Sequence, residues 1–381
     1  MTRALFWMAG TLVAYTYGGF PVLVLLRARL RPRPHRSEPI VPSVSVVVAA
    51  RNEAEVIADK VVNLTGLDYP ADRLEVIVAS DGSEDATVAA AEARGAARVR
   101  VLDLPRLGKA GALNAAVGHA AGDVLVFTDA NSMLDANALR ALVAPLADAE
   151  VGGVAGDQRY REHGADGGVA GGERRYWDLD RALKQAESVA GNVISATGAL
   201  YAVRRELFTD VPPGVTDDFA VSTGVICAGR RLVFAPDAVA YEAVGATTGV
   251  EFARKVRVMT RGLNGVVLRR ELLNPRRHGF YALQLLSHKV LRRLMAMPLL
   301  IIGATGVRLA GRGGAYRLAA GAEGAVLGLG ALGLTLAPTA PARRLLALPA
   351  YFCLVNFASL QAVINVARGR AIDRWEPRRD Q

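Results

Sequence analysis

Four clusters of polar residues carry the chemistry this sequence offers. Arg51, Asn52 and Glu53 follow the apolar run Val44–Ala50. Ser80-Asp81-Gly82-Ser83 and Thr128-Asp129-Ala130-Asn131 close two further runs, and Arg106-Leu107-Gly108-Lys109 precedes a helix-like stretch. Carboxylates, an amide and cations gathered in one crevice suit a ligand that combines a ribose, a diphosphate and a metal ion. Each cluster also has a plainer explanation, since Asn52, Ser83 and Asn131 are residue types that cap helix N-termini. Capping accounts easily for one such site. Four in register are harder to explain that way.

The elements that must position these clusters follow from the chain's alternation. Runs rich in β-branched residues at Val44–Ala50, Leu74–Ala79, Val99–Leu102 and Val124–Thr128 are separated by helix-like stretches. Those stretches are Glu53–Leu64, Glu84–Arg94, Ala110–Ala121 and Ala136–Asp148. The pattern predicts βαβ units, and hence an α/β fold with a mostly parallel sheet flanked by helices. Ligands of such sheets sit outside the carboxyl ends of the strands, where the clusters fall. Asp157–Gly172 reads as a polar, Gly-rich loop and Gly172–Ala190 as a helix; the pattern resumes at Thr197–Val203 and runs to about Tyr241.

The chain has 381 residues, 51% of them hydrophobic, and a formal net charge of +10. Its apolar excess gathers at the ends. Ala4–Leu26 carries no charge and is longer than the roughly 20 residues that cross a bilayer core. A basic run, Arg27–Arg36, follows it, with no small-residue cleavage site. The positive-inside rule then places the amino terminus outside and the next domain in the cytosol. Leu318–Ala342 and Leu345–Ala367 predict two more spans. Leu294–Val307 is shorter, is bracketed by arginines, and reads as interfacial or re-entrant. Two spans after the domain return the basic tail (Arg368, Arg370, Arg374) to the cytosol. The expectation is a multi-pass protein of the cell (inner) membrane, with the bilayer as a partner. Base-stacking aromatics are scarce among the arginines, which argues against nucleic acid. Two cysteines, Cys227 and Cys353, cannot build a disulfide framework or a thiolate metal site.

Taken in order, Val46–Glu53, Ala79–Asp85, Gly108–Asn114, Asp123–Asn131, Ala196–Arg205 and Thr216–Phe219 resemble the family-2 glycosyltransferases, which have the GT-A fold. The likeness covers about Pro42 to Asn264. It implies an enzyme that moves a sugar from a nucleotide-diphosphate sugar, by the family's habit a UDP-sugar, to a lipid-linked or glycan acceptor in cell-envelope or polysaccharide synthesis. The resemblance gives Asp81 the nucleobase and Glu53 a ribose or base contact, with Arg51 and Lys109 also on the donor side. Asp129 matches the first acid of the Asp-X-Asp motif that holds the diphosphate and Mg²⁺ or Mn²⁺. The second position is Asn131, whose amide oxygen can face a cation but adds no charge.

Asp218 matches the family's catalytic base, and Gly198, Ala199 and Asp217 its acceptor side. Adjacent acids repel and lift one pKa, which suits a proton acceptor. Asp217 and Asp218 would also serve as caps for a helix starting at Phe219. Where processive members carry Gln-X-X-Arg-Trp, this chain reads Arg254-Lys255-Val256-Arg257-Val258. Arg257 keeps a cation for the leaving diphosphate, while the Trp that stacks on the acceptor sugar is absent. Arg254–Arg261 fits a basic interfacial helix equally well. Trp375–Arg379 resembles an ending found in some membrane members.

Four regions result: an anchor (1–30), a GT-A domain (42–253), an amphipathic interfacial region (254–310) and C-terminal spans with a basic tail (311–381). The implied reaction is a single displacement with inversion. Two alternatives stay open: a processive synthase that exports its polymer, and a catalytically weak nucleotide-sugar sensor.

Overall fold

The computed structural model describes residues 1–94, 97–160, 169–242, 248–335 and 340–370. Residues 161–168 of the expected Asp157–Gly172 loop and the whole Trp375–Arg379 ending lie outside them. The strands are β1 (Val44–Ala50), β2 (Leu74–Asp81), β3 (Val99–Leu104), β4 (Val124–Phe127), β5 (Met133–Leu134), β6 (Val151–Tyr160), β7 (Tyr201–Arg204) and β8 (Arg231–Glu242). They form one sheet in the order β3-β2-β1-β4-β7-β6-β8-β5. The first four in that order are parallel, as the βαβ alternation requires. β7 runs antiparallel to both β4 and β6, and β5 antiparallel to β8. The sheet is therefore mixed beyond β4.

β1 is an unbroken apolar run because both of its faces are covered. Val46 and Val48 pack with Ile57, Val61 and Leu142 on one side. Val47 and Ala49 pack with Leu113 and Phe219 on the other. The alternation of side chains along a strand separates these two cores.

β6 departs from the expected loop, since Asp157, Gln158 and Arg159 continue the strand and pair with β8. Its Val-Gly-Gly-Val-Ala-Gly opening has no readable period, because small residues are required there. A Cβ on Gly156 would lie 2.9 Å from the Ala238 carbonyl oxygen. The run expected at Thr197–Val203 is extended only from Tyr201; its first residues form a turn that faces the site.

Among the described residues, three helices are long and apolar enough to cross a membrane: Thr2–Leu30, Gly314–Thr335 and Leu345–Ala367. A fourth candidate is the pair Phe280–Leu294 and Ala296–Arg312, bent by 53°. Ala296–Leu309 packs along Thr2–Ala14, and Phe6 meets Tyr316 at 4.8 Å between ring centroids. The expected interfacial segment Leu294–Val307 is thus paired with the first apolar helix. Leu345–Ala367 packs on two sides: along Gly314–Thr335, where a Cβ on Gly330 would lie 3.0 Å from the Pro349 carbonyl oxygen, and against the helix Thr248–Leu268, where Ala358 and Ala362 bury Met259 and Leu263. Protein covers part of the apolar face of Thr248–Leu268, at Met259 and Leu263, while Val258, Val267 and Leu268 are exposed.

Candidate active site

The turns after β1 and β4, the turn before β7 and the start of the helix Asp217–Cys227 meet around a cavity of about 370 Å³. Lys109, in the first turn of the helix Gly108–Gly118, reaches across it. Its Nζ lies 2.8 Å from Asp129 Oδ1 and 3.0 Å from Asp217 Oδ1. Burial opposes the charge on this ammonium, but Asp129 and Asp217 outweigh burial and hold its pKa raised. Tyr201, buried and stacked on Phe127, donates to Asp217 Oδ2 at 3.4 Å.

Asp218 adjoins this pair, with its Oδ1 accepting from the Phe219 amide at 2.7 Å. Burial, and then the Asp217 carboxylate, raise the Asp218 pKa against the pull of Lys289, Thr216 and Lys109. Of the two acids foreseen as caps, Asp217 instead faces Lys109.

Asn131, Gly198, Ala199 and Glu53 line the same cavity. A Cβ on Gly198 would lie 2.8 Å from Asp129 Oδ2, so glycine here leaves room beside that carboxylate. The opposite wall is the helix Thr248–Leu268, which presents Arg254, Arg257, Val258 and Arg261. Burial, followed by Arg261 and Arg254, lowers the Arg257 pKa. Crowded, half-buried guanidinium groups of this kind favour an added anion.

Two expected donor contacts lie elsewhere. Arg51 is buried, donates to the Asp81 carbonyl oxygen at 3.3 Å and stands 3.6 Å from Glu84 Oε1. Asp81 Oδ1 accepts from the amides of Leu107 and Gly108 at 2.6 and 2.9 Å, tying β2 to the turn that presents Lys109. Neither lines the cavity. In this conformation both serve to position the site.

The capping explanation fails for the residues first considered. Asn52 adopts φ 50°, and its side-chain oxygen accepts from the Glu84 amide at 2.9 Å. Asn131 precedes β5, not a helix. Asp85 is what caps, accepting from the amides of Ala54 and Thr87 at 3.1 and 3.0 Å.

A family model described as glycosyltransferase like family 2 matches residues 42–265. The chain belongs to this family. Poly-beta-1,6-N-acetyl-D-glucosamine synthase of Staphylococcus aureus (strain COL) is 26% identical over 275 residues, covering 70% of this chain. The Staphylococcus epidermidis protein of the same name is 24% identical over the same length. The chain spans 64% of the length of these curated relatives. A mannosyltransferase from Pyrobaculum calidifontis, solved with GDP-Man and Mn²⁺, aligns over 95% of this chain and 98% of its own. Its TM-score is 0.70 at 27% identity. The GT-A architecture expected of a family 2 glycosyltransferase is therefore present.

Among the described residues of this family 2 glycosyltransferase, no three His, Cys, Asp or Glu side chains converge to hold a metal by themselves. Asp129 and Asn131 offer one carboxylate and one amide on the same turn, with open space beside Asp129 at Gly198. That set fits a hard divalent cation completed by phosphate oxygens.

Lys60, Gln158 and Glu242 also belong to the site, and sequence reasoning missed them. Lys60 is fully buried; its Nζ donates to Thr128 Oγ1 at 2.9 Å and to the Ser132 carbonyl oxygen. It thereby grips both ends of the turn that carries Asp129 and Asn131. Burial lowers its pKa to about 7, against Asp129 and Glu242, which raise it. Glu242, at the end of β8, accepts from Ser132 Oγ and from Gln158 Nε2. The signal for Lys60 was available. It occupies the apolar stripe Ile57-Lys60-Val61-Leu64, where a lysine has no reason to be unless it has a partner.

Proposed function

We propose that the chain is a membrane-bound, inverting glycosyltransferase that uses a nucleoside-diphosphate sugar. One observation carries the reading: Asp218, with its raised pKa, shares a cavity with Asp129, Asn131 and Arg257. Asp218 takes the proton of an acceptor hydroxyl as that oxygen bonds to the anomeric carbon from the face opposite the diphosphate. The bond from the anomeric carbon to the diphosphate oxygen breaks, and the nucleoside diphosphate leaves with the bonding pair. Arg257 and Lys109 would hold the diphosphate, and Asp129 and Asn131 would hold its divalent cation, Mg²⁺ or Mn²⁺. A cation bound there offsets charge on the leaving group. Gly198, Ala199 and Asp217 border the acceptor side, and Glu53 the ribose side. UDP is the nucleotide we infer, by the family resemblance.

Val258, at the position of the processive members' Trp, supports transfer of single sugars to a lipid-linked or glycan acceptor over polymer synthesis. The paired helices support an arrangement in which Thr2–Leu30, Ala296–Arg312 and Gly314–Thr335 cross the cell membrane. Leu345–Ala367 then lies at the membrane face of a cytosolic catalytic domain, packed on both Gly314–Thr335 and Thr248–Leu268.

The test is nucleoside diphosphate release by the purified full chain from a panel of nucleotide-sugars, with and without Mn²⁺. Cation-dependent release from one donor is expected. Binding of a donor with no turnover under any condition would leave only a sensor.

A further inference from the structure

A second cavity, of about 190 Å³, opens from the first and shares Thr197, Asp218, Arg254 and Val258 with it. Its remaining wall is strongly basic: Lys184, Lys255, Lys289, Arg292 and Arg293 line it, with Asp180 as the one further carboxylate. Asp180 already stands 3.2 Å from Lys184 Nζ and 3.4 Å from Arg292 Nη1, and Glu251 lies 2.8 Å from Lys255 Nζ. Lys289 Nζ sits 4.0 Å over the Phe219 ring, next in the chain to Asp218, and donates to Ser195 Oγ at 3.3 Å. Cations thus outnumber acids on the side of Asp218 opposite Lys109.

The cavity also has a membrane side. Tyr351 and Val355 of the apolar helix Leu345–Ala367 form part of its wall. Arg292 and Arg293 come just before Ala296–Leu309, the apolar helix packed along Thr2–Ala14. Arginines at the mouth of an apolar helix lie at the level of lipid headgroups.

We propose that this cavity binds the acceptor, and that the acceptor is a phosphate-bearing lipid. Its phosphate sits among Lys289, Arg292 and Arg293, its chain leaves along Leu345–Ala367, and its hydroxyl points at Asp218. The proposal rests on the glycosyltransferase reading and names its acceptor class. Sugar transfer leaves the phosphate untouched; the hydroxyl proton goes to Asp218 and the nucleoside diphosphate departs with the electron pair.

The test uses the detergent-purified full chain and three probes: dioctanoyl phosphatidylglycerol, dioctanoylglycerol and glycerol 3-phosphate. Binding is read by native mass spectrometry for the wild type, for Lys289→Gln/Arg293→Gln, and for Arg276→Gln/Arg277→Gln, which removes two exposed charges elsewhere. Phosphatidylglycerol is expected to bind best, and about tenfold or more weaker in the Lys289/Arg293 variant only, as for the loss of charge-assisted bonds to phosphate. Lys289→Arg should keep binding. Equal binding of dioctanoylglycerol, or undiminished phosphatidylglycerol binding by Lys289→Gln/Arg293→Gln, overturns the phosphate site. Equal binding of glycerol 3-phosphate overturns the lipid half. A thermal shift with nucleotide-sugars on the same samples shows that each variant is folded. It also separates failure of the acceptor proposal from failure of the glycosyltransferase reading, which no donor-induced shift would signal.

Discussion

Lys109 Nζ stands between Asp129 and Asp217, 2.8 Å from one carboxylate and 3.0 Å from the other. Without donor it compensates two acids that would otherwise repel. With donor, the diphosphate and its cation compete for the same partners. Lys109→Met should therefore weaken the donor and strengthen the metal. Loss of a charge-assisted bond, worth about 1.5–3 kcal/mol, predicts a donor KM roughly 10–100-fold higher. The Mn²⁺ concentration for half-maximal rate should fall, because the cation no longer displaces an ammonium. A rise in both constants would mean that Lys109 does not compete with the metal.

Asp218→Asn keeps the size of the side chain and removes its ability to take a proton. Turnover should drop by about 10²–10⁴-fold, the usual cost of losing a general base. Donor KM should stay within a few-fold, since the diphosphate is held across the cavity. Steady-state kinetics decide this, and near-normal turnover would take Asp218 out of the mechanism.

The raised pKa of Asp218 sets a sign for the pH profile. Only the ionised carboxylate accepts a proton, so the rate rises with pH through a midpoint above the ordinary value of about 3.9 for an aspartate. Burial and the Asp217 charge both push that midpoint up. Asp217→Asn removes the second cause and should move the acidic limb of the turnover profile to lower pH. An unmoved limb in this variant would show that the two acids are not coupled.

Lys60 is the place where the sequence could have said more. An amphipathic stripe announced the helix Ala54–Thr65, and the lysine inside that stripe was the exception worth following. Strand ends were readable because β-branched runs stop at polar clusters, and eight of the expected residues, Glu53, Lys109, Asp129, Asn131, Gly198, Ala199, Asp217 and Arg257, do meet in one cavity beside Asp218. Arg51 and Asp81 do not line that cavity, and residue type does not reveal that backbone amides, here of Leu107 and Gly108, bond the Asp81 carboxylate. β6 was hidden by its glycines. Hydropathy found the apolar helices Gly314–Thr335 and Leu345–Ala367, and only the contacts reveal that the second also packs on Thr248–Leu268.

Lys60 also yields a stability prediction. Its pKa is about 7 in the folded protein and about 10.4 in an unfolded chain. Between those values the unfolded state binds the extra proton, so stability rises with pH across that window. Lys60→Met removes this contribution and should flatten the rise in apparent Tm between about pH 7 and pH 10. It should also raise donor KM, because the Asp129 turn loses two anchoring bonds. A variant with the wild-type Tm profile would mean that Lys60 stays charged while buried.

The arrangement of the apolar helices makes the last prediction, on which side of the membrane each loop lies. Arg27–Arg36 follows the first apolar helix, and on its other side only Arg3 competes, so the amino terminus is expected outside and the catalytic domain inside. Arg27 lies over the Phe280 ring at 4.4 Å and Tyr15 bonds Ser287, so Phe280–Arg312 starts at the inner end of the first helix and runs back along it. It ends near Phe6, next to the start of Gly314–Thr335. Gly313 is then outside. Gly314–Thr335 returns the chain to the cytosol, and Leu345–Ala367 stays at the cytosolic membrane face, between Gly314–Thr335 and the catalytic domain. An impermeant thiol reagent applied to intact cells, with Cys227 and Cys353 replaced and single cysteines placed in turn, reads each loop. Gly313→Cys should label, while Ala342→Cys and Gln381→Cys should not. Labelling at Ala342 and not at Gly313 would restore an interfacial Leu294–Val307 with two later spans. Labelling at Gly313 and Gln381 would mean that Leu345–Ala367 also crosses, and that its contact with Thr248–Leu268 does not keep it at the cytosolic face.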